Sequence, residues 1–351
     1  MIFVYFDDEP RQRELLAGRL QGNGLEVVSM PPPADLQLSG LPQHVDGFLV
    51  DYQLTQPEPG RAGARYKGGT LGSAIREQYP TSPLVLVTRK SLVNERSEDD
   101  LLEELGVFDV VRFKGQVERY SAAGRRELIA LAEGFQSLGA AEKSWDGVLD
   151  VLLPPHDEDV LALREAPPTL TERQWDLVPI ARWLLRIVLR YPGIVVDDAH
   201  AAATLGLDPD AMRIPDLEQF LAPARYAGPF ADVDRRWWHQ SLVRTAQAIA
   251  DDGSRGPLYL RFSDQFRNAR GLDLPRAACV DCGEPAGSRC FVLDRPVRHD
   301  HSLPYFPDQR PAIMEVARVS FQAIRHTNDV VDERVDPTAS PILASLRQAA
   351  R

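Results

Sequence analysis

Five residues suited to phosphoryl chemistry follow or end short apolar runs within the first 114 positions. They are Asp7, Asp8, Asp51, Thr88 and Lys114. Because parallel strands open into one crevice at their carboxyl ends, we expect these side chains to lie together. Carboxylates can hold a hard divalent cation such as Mg²⁺, and with the cation bound one of them can attack a phosphoryl group. A lysine and a hydroxyl can then bind the added oxygens.

A second set of chemically active residues lies near the end of the chain. The three cysteines, Cys279, Cys282 and Cys290, form a C-x₂-C-x₇-C pattern, and His299 and His301 follow. Zinc prefers four tetrahedral thiolate and imidazole ligands, so three cysteines and one of the two histidines predict a structural zinc site. The sequence does not decide which histidine binds. Three ordinary thiols in a reducing compartment are the alternative.

Alternating strand and helix patterns surround the first set. Short apolar or β-branched runs predict five strands, at Ile2–Phe6, Leu25–Val28, Gly47–Val50, Leu84–Thr88 and Phe108–Phe113. Helical patterns lie between and after them, at Pro10–Gln21, Thr70–Gln78, Ser91–Leu105 and Glu118–Leu138. A proline triplet and scattered polar residues allow only a short turn between residues 31 and 45. This alternation predicts an α/β domain with a flavodoxin-like, five-stranded parallel sheet.

Roughly the first 120 residues resemble the receiver domain of bacterial response regulators. The resemblance rests on four segments: 6–10 (Phe-Asp-Asp-Glu-Pro), 48–51 (Phe-Leu-Val-Asp), 86–88 (Leu-Val-Thr) and 112–114 (Arg-Phe-Lys).

The resemblance implies a role for each of these residues. Asp51 would be the phosphoacceptor, and a sensor histidine kinase or phosphotransfer protein would be its donor. Asp7 and Asp8 would bind Mg²⁺ together with Asp51 and the backbone carbonyl of Gln53. Thr88 and Lys114 would detect the phosphoryl group.

Three features depart from the usual receiver pattern. The loop after Asp51 is long, at Thr55–Gly69. Gly115 stands where receivers usually have proline, and Val111 stands where the usual switch aromatic would fall. We therefore expect the phosphorylation chemistry to be retained, while a partner protein reads the long loop instead of the usual output face.

Composition narrows the class of protein. A chain of 351 residues is long enough for two or three domains, and 44% apolar with 26% charged residues is typical of a globular protein. The net charge of −11 disfavours a general nucleic-acid-binding surface, although residues 255–351 are mildly positive. No apolar run approaches the roughly 20 residues that span a bilayer. We expect a cytoplasmic protein with no membrane partner.

From about residue 143 the pattern becomes mostly helical. We predict helices at Thr171–Tyr191, Val196–Leu205, Asp216–Leu221, Asp234–Ala250 and Pro311–His326, and a strand at Pro257–Phe262. The predicted domains are a receiver at 1–140, a helical, winged-helix-like region at 143–254, and a small α+β region with a zinc knuckle at 255–351.

Residues 196–207 have the pattern of the first helix and turn of a helix-turn-helix, with small alanines and a Leu-Gly turn. The next segment, 208–216, is acidic and interrupted by proline. Reading DNA requires basic and base-contacting side chains at that place. The pattern therefore favours protein binding over DNA binding.

These patterns predict a phosphorylation-controlled signalling protein whose C-terminal region contacts an unidentified output protein, with a homodimer as one arrangement. A DNA-binding transcriptional regulator is one alternative. A receiver-controlled effector enzyme such as a nuclease is another, supported only by the Arg-rich final segment with its cysteine and histidine cluster. We expect no enzymatic activity beyond accepting and losing the phosphoryl group.

Overall fold

A computed structural model describes residues 1–55, 64–89, 101–102, 105–115, 121–154, 163, 176–250, 256–307 and 314–349. The chain divides into two compact units. The first comprises Met1–Leu152, Pro167–Leu185 and Gly228–Asp234, and the second comprises Leu153–Ala166, Arg186–Ala227 and Arg235–Arg351. Most of the predicted helix at Ser91–Leu105 and of the loop Thr55–Gly69 lies outside the described residues. The predicted domain boundaries near 140 and 254 stay predictions.

The first unit contains a five-stranded parallel sheet. Its strands are β1 (Ile2–Phe6), β2 (Glu26–Met30), β3 (Gly47–Asp51), β4 (Leu84–Thr88) and β5 (Val110–Phe113). They pair in the order β2-β1-β3-β4-β5, and every pair is parallel. This is the flavodoxin-like order, so the predicted strands and the α/β sheet are confirmed.

Helices cover both faces of the sheet, as a parallel sheet requires. The first three are α1 (Pro10–Leu20), α2 (Gly68–Gln78) and α3 (Ser121–Ala140). All five residues of β3 and of β4 are buried, which explains why both strands are continuous apolar runs. Pro10 occupies the first turn of α1, where its missing N–H costs no hydrogen bond.

No helix forms between β2 and β3 in the described stretch 31–46. Leu36, Leu38 and Leu41 instead pack, partly buried, against the core on that side of the sheet. The Tyr66 hydroxyl donates to the carbonyl of Pro33 and holds this segment in place. The predicted short turn is thus confirmed, and irregular backbone replaces a covering helix.

A buried carboxylate anchors the start of β5 and a later helix of the same unit. Helices α4 (Trp145–Leu152) and α5 (Leu177–Trp183) follow α3. Asp109 is 1% exposed, and its Oδ2 accepts hydrogen bonds from Arg76 at 2.6 Å and from the backbone N–H of Leu84 at 2.8 Å. Its Oδ1 accepts a bond from Arg182 of α5 at 2.8 Å. One carboxylate therefore ties α2, β4 and α5 together.

The second unit is mostly helical. Its helices are α6 (Asp198–Leu205), α7 (Pro215–Leu221), α8 (His239–Ala250), α9 (Leu258–Arg270), α10 (Phe321–His326) and α11 (Ser340–Ala349). Strands β6 (Val195–Asp197) and β7 (Arg236–Trp238) form an antiparallel pair. Strands β8 (Ser288–Cys290), β9 (Arg295–Val297), β10 (Ser302–Tyr305) and β11 (Ala317–Ser320) form a sheet in the order β10-β11-β8-β9. The predicted helical α+β character is confirmed.

The predicted strand at Pro257–Phe262 is wrong. This segment begins α9, in which Phe262 and Phe266 lie one turn apart and are both fully buried. Aromatic residues also favour strands, and a six-residue window is too short to show the helical period.

Two predicted helices begin several residues too early, and Val196–Leu205 also begins too early, because Val196 and Asp197 lie in β6. Within Asp234–Ala250, the first residues form β7, because Trp237 and Trp238 pair with Val196 and Val195 of β6. Within Pro311–His326, Ala317–Ser320 forms β11 and only Phe321–His326 is helical. Both errors come from pairing partners that are distant in the sequence. Among the described residues, no helix combines the length and apolar character needed to cross a bilayer.

Replacing Asp109 should destabilise the protein. In Asp109→Ala the free energy of unfolding should fall by about 3–5 kcal/mol, because two guanidinium groups and a buried N–H lose their acceptor. Urea unfolding followed by circular dichroism measures this. In the control Arg89→Ala, which breaks an exposed pair with Glu9, the change should stay below about 1 kcal/mol. Equal effects of the two substitutions would contradict the anchoring role.

Candidate functional site

The five residues singled out in the first 114 positions meet at one edge of the parallel sheet. Asp7 and Asp8 follow β1, Asp51 ends β3, Thr88 ends β4 and Lys114 follows β5. In the strand register Asp51 is paired with Val87, and Thr88 is paired with Phe113. All five are buried, with exposed fractions between 0 and 5%. The structure therefore brings together the residues that the sequence analysis placed in one crevice.

Lys114 contacts two of the three carboxylates. Its Nζ lies 2.7 Å from Asp7 Oδ2 and 2.9 Å from Asp51 Oδ2. Burial lowers the pKa of Lys114, but the Asp51 and Asp7 carboxylates outweigh this effect and raise the pKa above its ordinary value. The ammonium group therefore stays charged between the two acids.

The pKa of the Asp51 carboxyl group is shifted by burial and by neighbouring charges. Burial raises the pKa of Asp51 to about 7, and the charge of Asp7 adds to the rise, although Lys114 acts in the opposite direction. Its Oδ1 accepts a hydrogen bond from the backbone N–H of Tyr52 at 2.9 Å. With Lys114 beside it, the Asp51 carboxyl group is therefore only partly ionised at neutral pH.

Asp7 is fixed by its own strand and by the turn after it. Its Oδ2 accepts hydrogen bonds from the Tyr5 hydroxyl and from Lys114, and its Oδ1 accepts one from the backbone N–H of Glu9 at 2.9 Å. Arg13 donates to the backbone carbonyl of Asp7 at 2.8 Å. Burial, with the negative charges of Asp7 and Asp51, raises the pKa of Tyr5, so Tyr5 remains a neutral donor.

Tyr5 is a site residue that the sequence patterns did not single out. A signal was available, because residues two apart on a strand point to the same face, and Tyr5 precedes Asp7 by two.

The acidic trio fits a divalent cation. Asp7, Asp8 and Asp51 each offer a carboxylate oxygen, and these atoms lie within 4.8 Å of one another. When all three acids are ionised, Lys114 balances only one of their charges. Mg²⁺ prefers such oxygen ligands. Gln53 lies two residues after Asp51 and is half-buried; the role of its backbone carbonyl stays a prediction.

Thr88 has an unused hydroxyl. It is fully buried, and its Oγ1 has no hydrogen-bond partner among the described residues. A buried hydroxyl without a partner costs free energy, so this atom is ready to bond to a group that enters the crevice.

Gly68 allows α2 to begin directly against the end of β3. A Cβ at this position would lie 2.1 Å from the carbonyl oxygen of Asp51, and the backbone N–H of Gly68 donates to the carbonyl of Tyr52 at 2.8 Å. Only glycine fits this approach of the two backbones. The Gly68-Gly69 pair was visible in the sequence, but its partner across the fold was not.

The cysteine and histidine residues of the second unit form a smaller group than the sequence analysis expected. Ligand atoms of Cys279, Cys282 and His301 lie within 4.8 Å of one another, and Cys279 Sγ is 3.8 Å from His301 Nδ1. In the described part of the chain, Cys290 and His299 are not members of this group. The structure therefore favours His301 over His299 as the imidazole and leaves Cys290 outside.

The contribution of Asp51 to the stability of the metal-free protein should fall as the pH rises from about 4 to about 7. Over this interval the buried Asp51 holds its proton in the folded state, whereas an exposed aspartate ionises near pH ~4. The unfolded state then binds fewer protons, so stability decreases. Relative to the parent protein, Asp51→Asn should gain at least about 1 kcal/mol more at pH ~8 than at pH ~4.

Urea titrations in the presence of a chelator measure this difference, with the exposed Asp35→Asn as control. A gain from Asp51→Asn that is the same at both pH values would show that Asp51 is not buried as a neutral acid.

Comparisons with known proteins found no matching protein-family model and no matching curated protein. Among solved structures, the RcsB response regulator of Salmonella typhimurium is similar, with 18% identity over 47% of this chain and 76% of that chain and a TM-score of 0.27. The isolated REC domain of RcsB from Salmonella enterica serovar Typhimurium has 19% identity, over 38% and 89% of the two chains, with a TM-score of 0.29.

NtrX from Brucella abortus, solved in complex with ATP, has 15% identity to this chain. The match covers 59% of this chain and 47% of that one, with a TM-score of 0.32. In this protein itself, five parallel strands in the order β2-β1-β3-β4-β5 carry an acidic trio, a threonine and a lysine at their carboxyl edge. The N-terminal unit therefore fits a receiver domain.

Proposed function

We propose that Asp51 accepts a phosphoryl group and that the protein is a phosphorylation-controlled signalling protein of the response-regulator type. The observation that carries this proposal is the buried contact of Lys114 with both Asp7 and Asp51, at 2.7 and 2.9 Å, at the carboxyl edge of the sheet. A merely structural ion pair would need one acid. Three acids, one lysine and an unpartnered hydroxyl suit a site that takes up a cation and then an anion.

The transfer step uses Asp51 as the nucleophile. One carboxylate oxygen attacks the phosphorus of a phosphohistidine, the P–N bond breaks, and the imidazole leaves with the electron pair of that bond. Asp51 must be ionised to attack, and positive charge beside it lowers the pKa of the carboxyl group. Mg²⁺ held by Asp7, Asp8, Asp51 and the Gln53 carbonyl would supply that charge and neutralise the phosphoryl oxygens.

Phosphorylation then changes the partners of two side chains. Lys114 already lies 2.9 Å from Asp51 Oδ2 and can pair with the new phosphoryl oxygens. The hydroxyl of Thr88, which has no partner among the described residues, can donate to one of them. Movement of Thr88 would bias a two-state surface of the receiver.

The donor in this proposal is a sensor histidine kinase or a phosphotransfer protein, and the location is the cytoplasm. The proposal also includes a zinc ion in the second unit, held by the group of Cys279, Cys282 and His301. Their thiolate and imidazole ligands are the ones that zinc prefers, and Cys279 and His301 already lie at contact distance.

For the output, protein contacts are favoured over DNA binding. The turn at Gly206 has the left-handed conformation expected of a helix-turn-helix, with φ of 71°. The segment after it is a 3₁₀ helix, Pro209–Arg213, followed by α7, whose first turn carries Asp216 and Glu218. The Asp216 carboxylate would repel the phosphates of a DNA groove, whereas Glu218 is already paired with Arg225 and Arg235. A nuclease-like effector enzyme stays an alternative prediction, as does a homodimer.

Phosphate labelling tests the assignment of Asp51. With Mg²⁺ and acetyl phosphate as a small donor, the full-length protein should incorporate phosphate, and Asp51→Asn should not. Asp7→Asn and Asp8→Asn should each reduce labelling at least ~10-fold, because each removes one charge that holds the cation. Phosphate-affinity gel electrophoresis measures the labelled fraction.

The control for labelling is Asp35→Asn, since Asp35 is an exposed acid of the same unit. It should be labelled like the parent protein. Undiminished labelling of Asp51→Asn would move the phosphoacceptor to another residue.

Binding to duplex DNA should be absent in both phosphorylation states. Fluorescence anisotropy with a labelled duplex, followed as salt is raised from low to physiological concentration, measures this for the full chain. A salt-dependent complex that weakens with a steep slope would reflect phosphate contacts and would favour a transcriptional regulator over protein contacts.

A further inference from the structure

The group formed by Cys279, Cys282 and His301 lies on a tight turn and the segment beside it. The backbone N–H of Cys279 donates to the carbonyl of Glu284 at 2.7 Å, and the N–H of Gly283 donates to the carbonyl of Cys279 at 2.8 Å. Gly283 has a φ of 78°, which only glycine adopts without strain. This turn places the two cysteines of the C-x₂-C pair on the same side, facing His301.

The distance within the group matches a tetrahedral ion. Zn–S bonds of about 2.3 Å and Zn–N bonds of about 2.05 Å at the tetrahedral angle separate sulfur and nitrogen by about 3.6 Å. The observed distance between Cys279 Sγ and His301 Nδ1 is 3.8 Å. The backbone N–H of Arg298 also approaches Cys279 Sγ at 3.4 Å, a contact that stabilises a thiolate ligand.

The third cysteine, Cys290, accepts hydrogen bonds in another part of the unit. Cys290 is fully buried in the core of the small sheet. Its Sγ accepts the backbone N–H of Ser320 at 3.2 Å and that of Leu293 at 3.4 Å. Turning this sulfur toward the group would leave the buried N–H of Ser320 and the partly buried N–H of Leu293 without this acceptor.

The group is also open to solvent on one side. Cys279 is buried, His301 is half-buried and Cys282 is exposed. Within the described residues, no fourth cysteine, histidine or carboxylate joins these three. Two thiolates, a neutral imidazole and Zn²⁺ sum to zero charge, so the ion can accept either water or a small anion as its fourth ligand.

We propose that Cys279, Cys282 and His301 bind one zinc ion and that its fourth position is taken by an exchangeable water or small anion. A structural zinc site normally has four protein ligands, whereas three protein ligands and one exchangeable ligand make an ion that can bind a further molecule. The inference rests on the zinc binding proposed above and adds its coordination and the class of ligand.

Cobalt substitution tests the coordination in the full-length protein. After removal of bound metal, Co²⁺ should bind at one ion per chain and give a thiolate-to-cobalt charge-transfer band. Cys279→Ser and Cys282→Ser should each lower the band per bound ion to about half, because one of two thiolates is lost. Cys290→Ser, which keeps an acceptor for the two N–H groups, and His299→Ala should leave the band unchanged.

Azide tests the fourth position. Adding azide to the cobalt protein should change the visible ligand-field bands saturably, while chloride at equal ionic strength should change them less. If cobalt binds but azide does not change its bands, the proposal of an exchangeable fourth ligand is wrong, while the proposal of zinc binding stands. A loss of about a third of the charge-transfer band in Cys290→Ser would also overturn the exchangeable fourth position, because Cys290 would then be a ligand. Failure to bind cobalt or zinc at all would overturn the zinc proposal itself.

Discussion

The imbalance of charge at the carboxyl edge of the parallel sheet governs the rest of the N-terminal unit. Three buried carboxylates face one buried lysine. Burying carboxylates close together is costly, and burial together with the charge of Asp7 raises the pKa of Asp51 to about 7, so this acid is partly neutral at neutral pH. A divalent cation would relieve the same imbalance. Under the proposed function, the cluster rests with Asp51 partly neutral, and Asp51 reacts only when a cation is bound beside it.

The sheet topology makes this arrangement available. Lys114 is 107 residues from Asp7 and 63 from Asp51 in the chain, yet parallel pairing brings their strand ends to one edge. The hydroxyl of Thr88 is left without a partner there, so the edge also holds a donor for an incoming anion. Gly68 lets α2 start directly against the Asp51 carbonyl at the end of β3.

The three cysteines of the second unit have two different roles. Cys279 and Cys282 lie on a turn closed by its own backbone hydrogen bonds, and they face His301. Cys290 accepts backbone N–H groups inside the sheet core. A sulfur can serve as a metal ligand or as a buried hydrogen-bond acceptor, and the surrounding backbone decides which. This division explains why a pattern of three cysteines yields a group with two.

The sequence by itself determined the five strands, the order of the acidic, hydroxyl and lysine residues at their ends, and the C-x₂-C turn. Each of these depends on interactions between residues a few positions apart, so a local pattern carries them. Only the tertiary structure decided that Tyr5 bonds to Asp7, that His301 rather than His299 lies beside Cys279 and Cys282 while Cys290 stays outside, and that Trp237 and Trp238 lie in a strand. The strand and the cysteine group depend on backbone partners that are distant in the sequence, and the Tyr5–Asp7 bond depends on the burial of both side chains. These conditions exist only when the whole chain has folded.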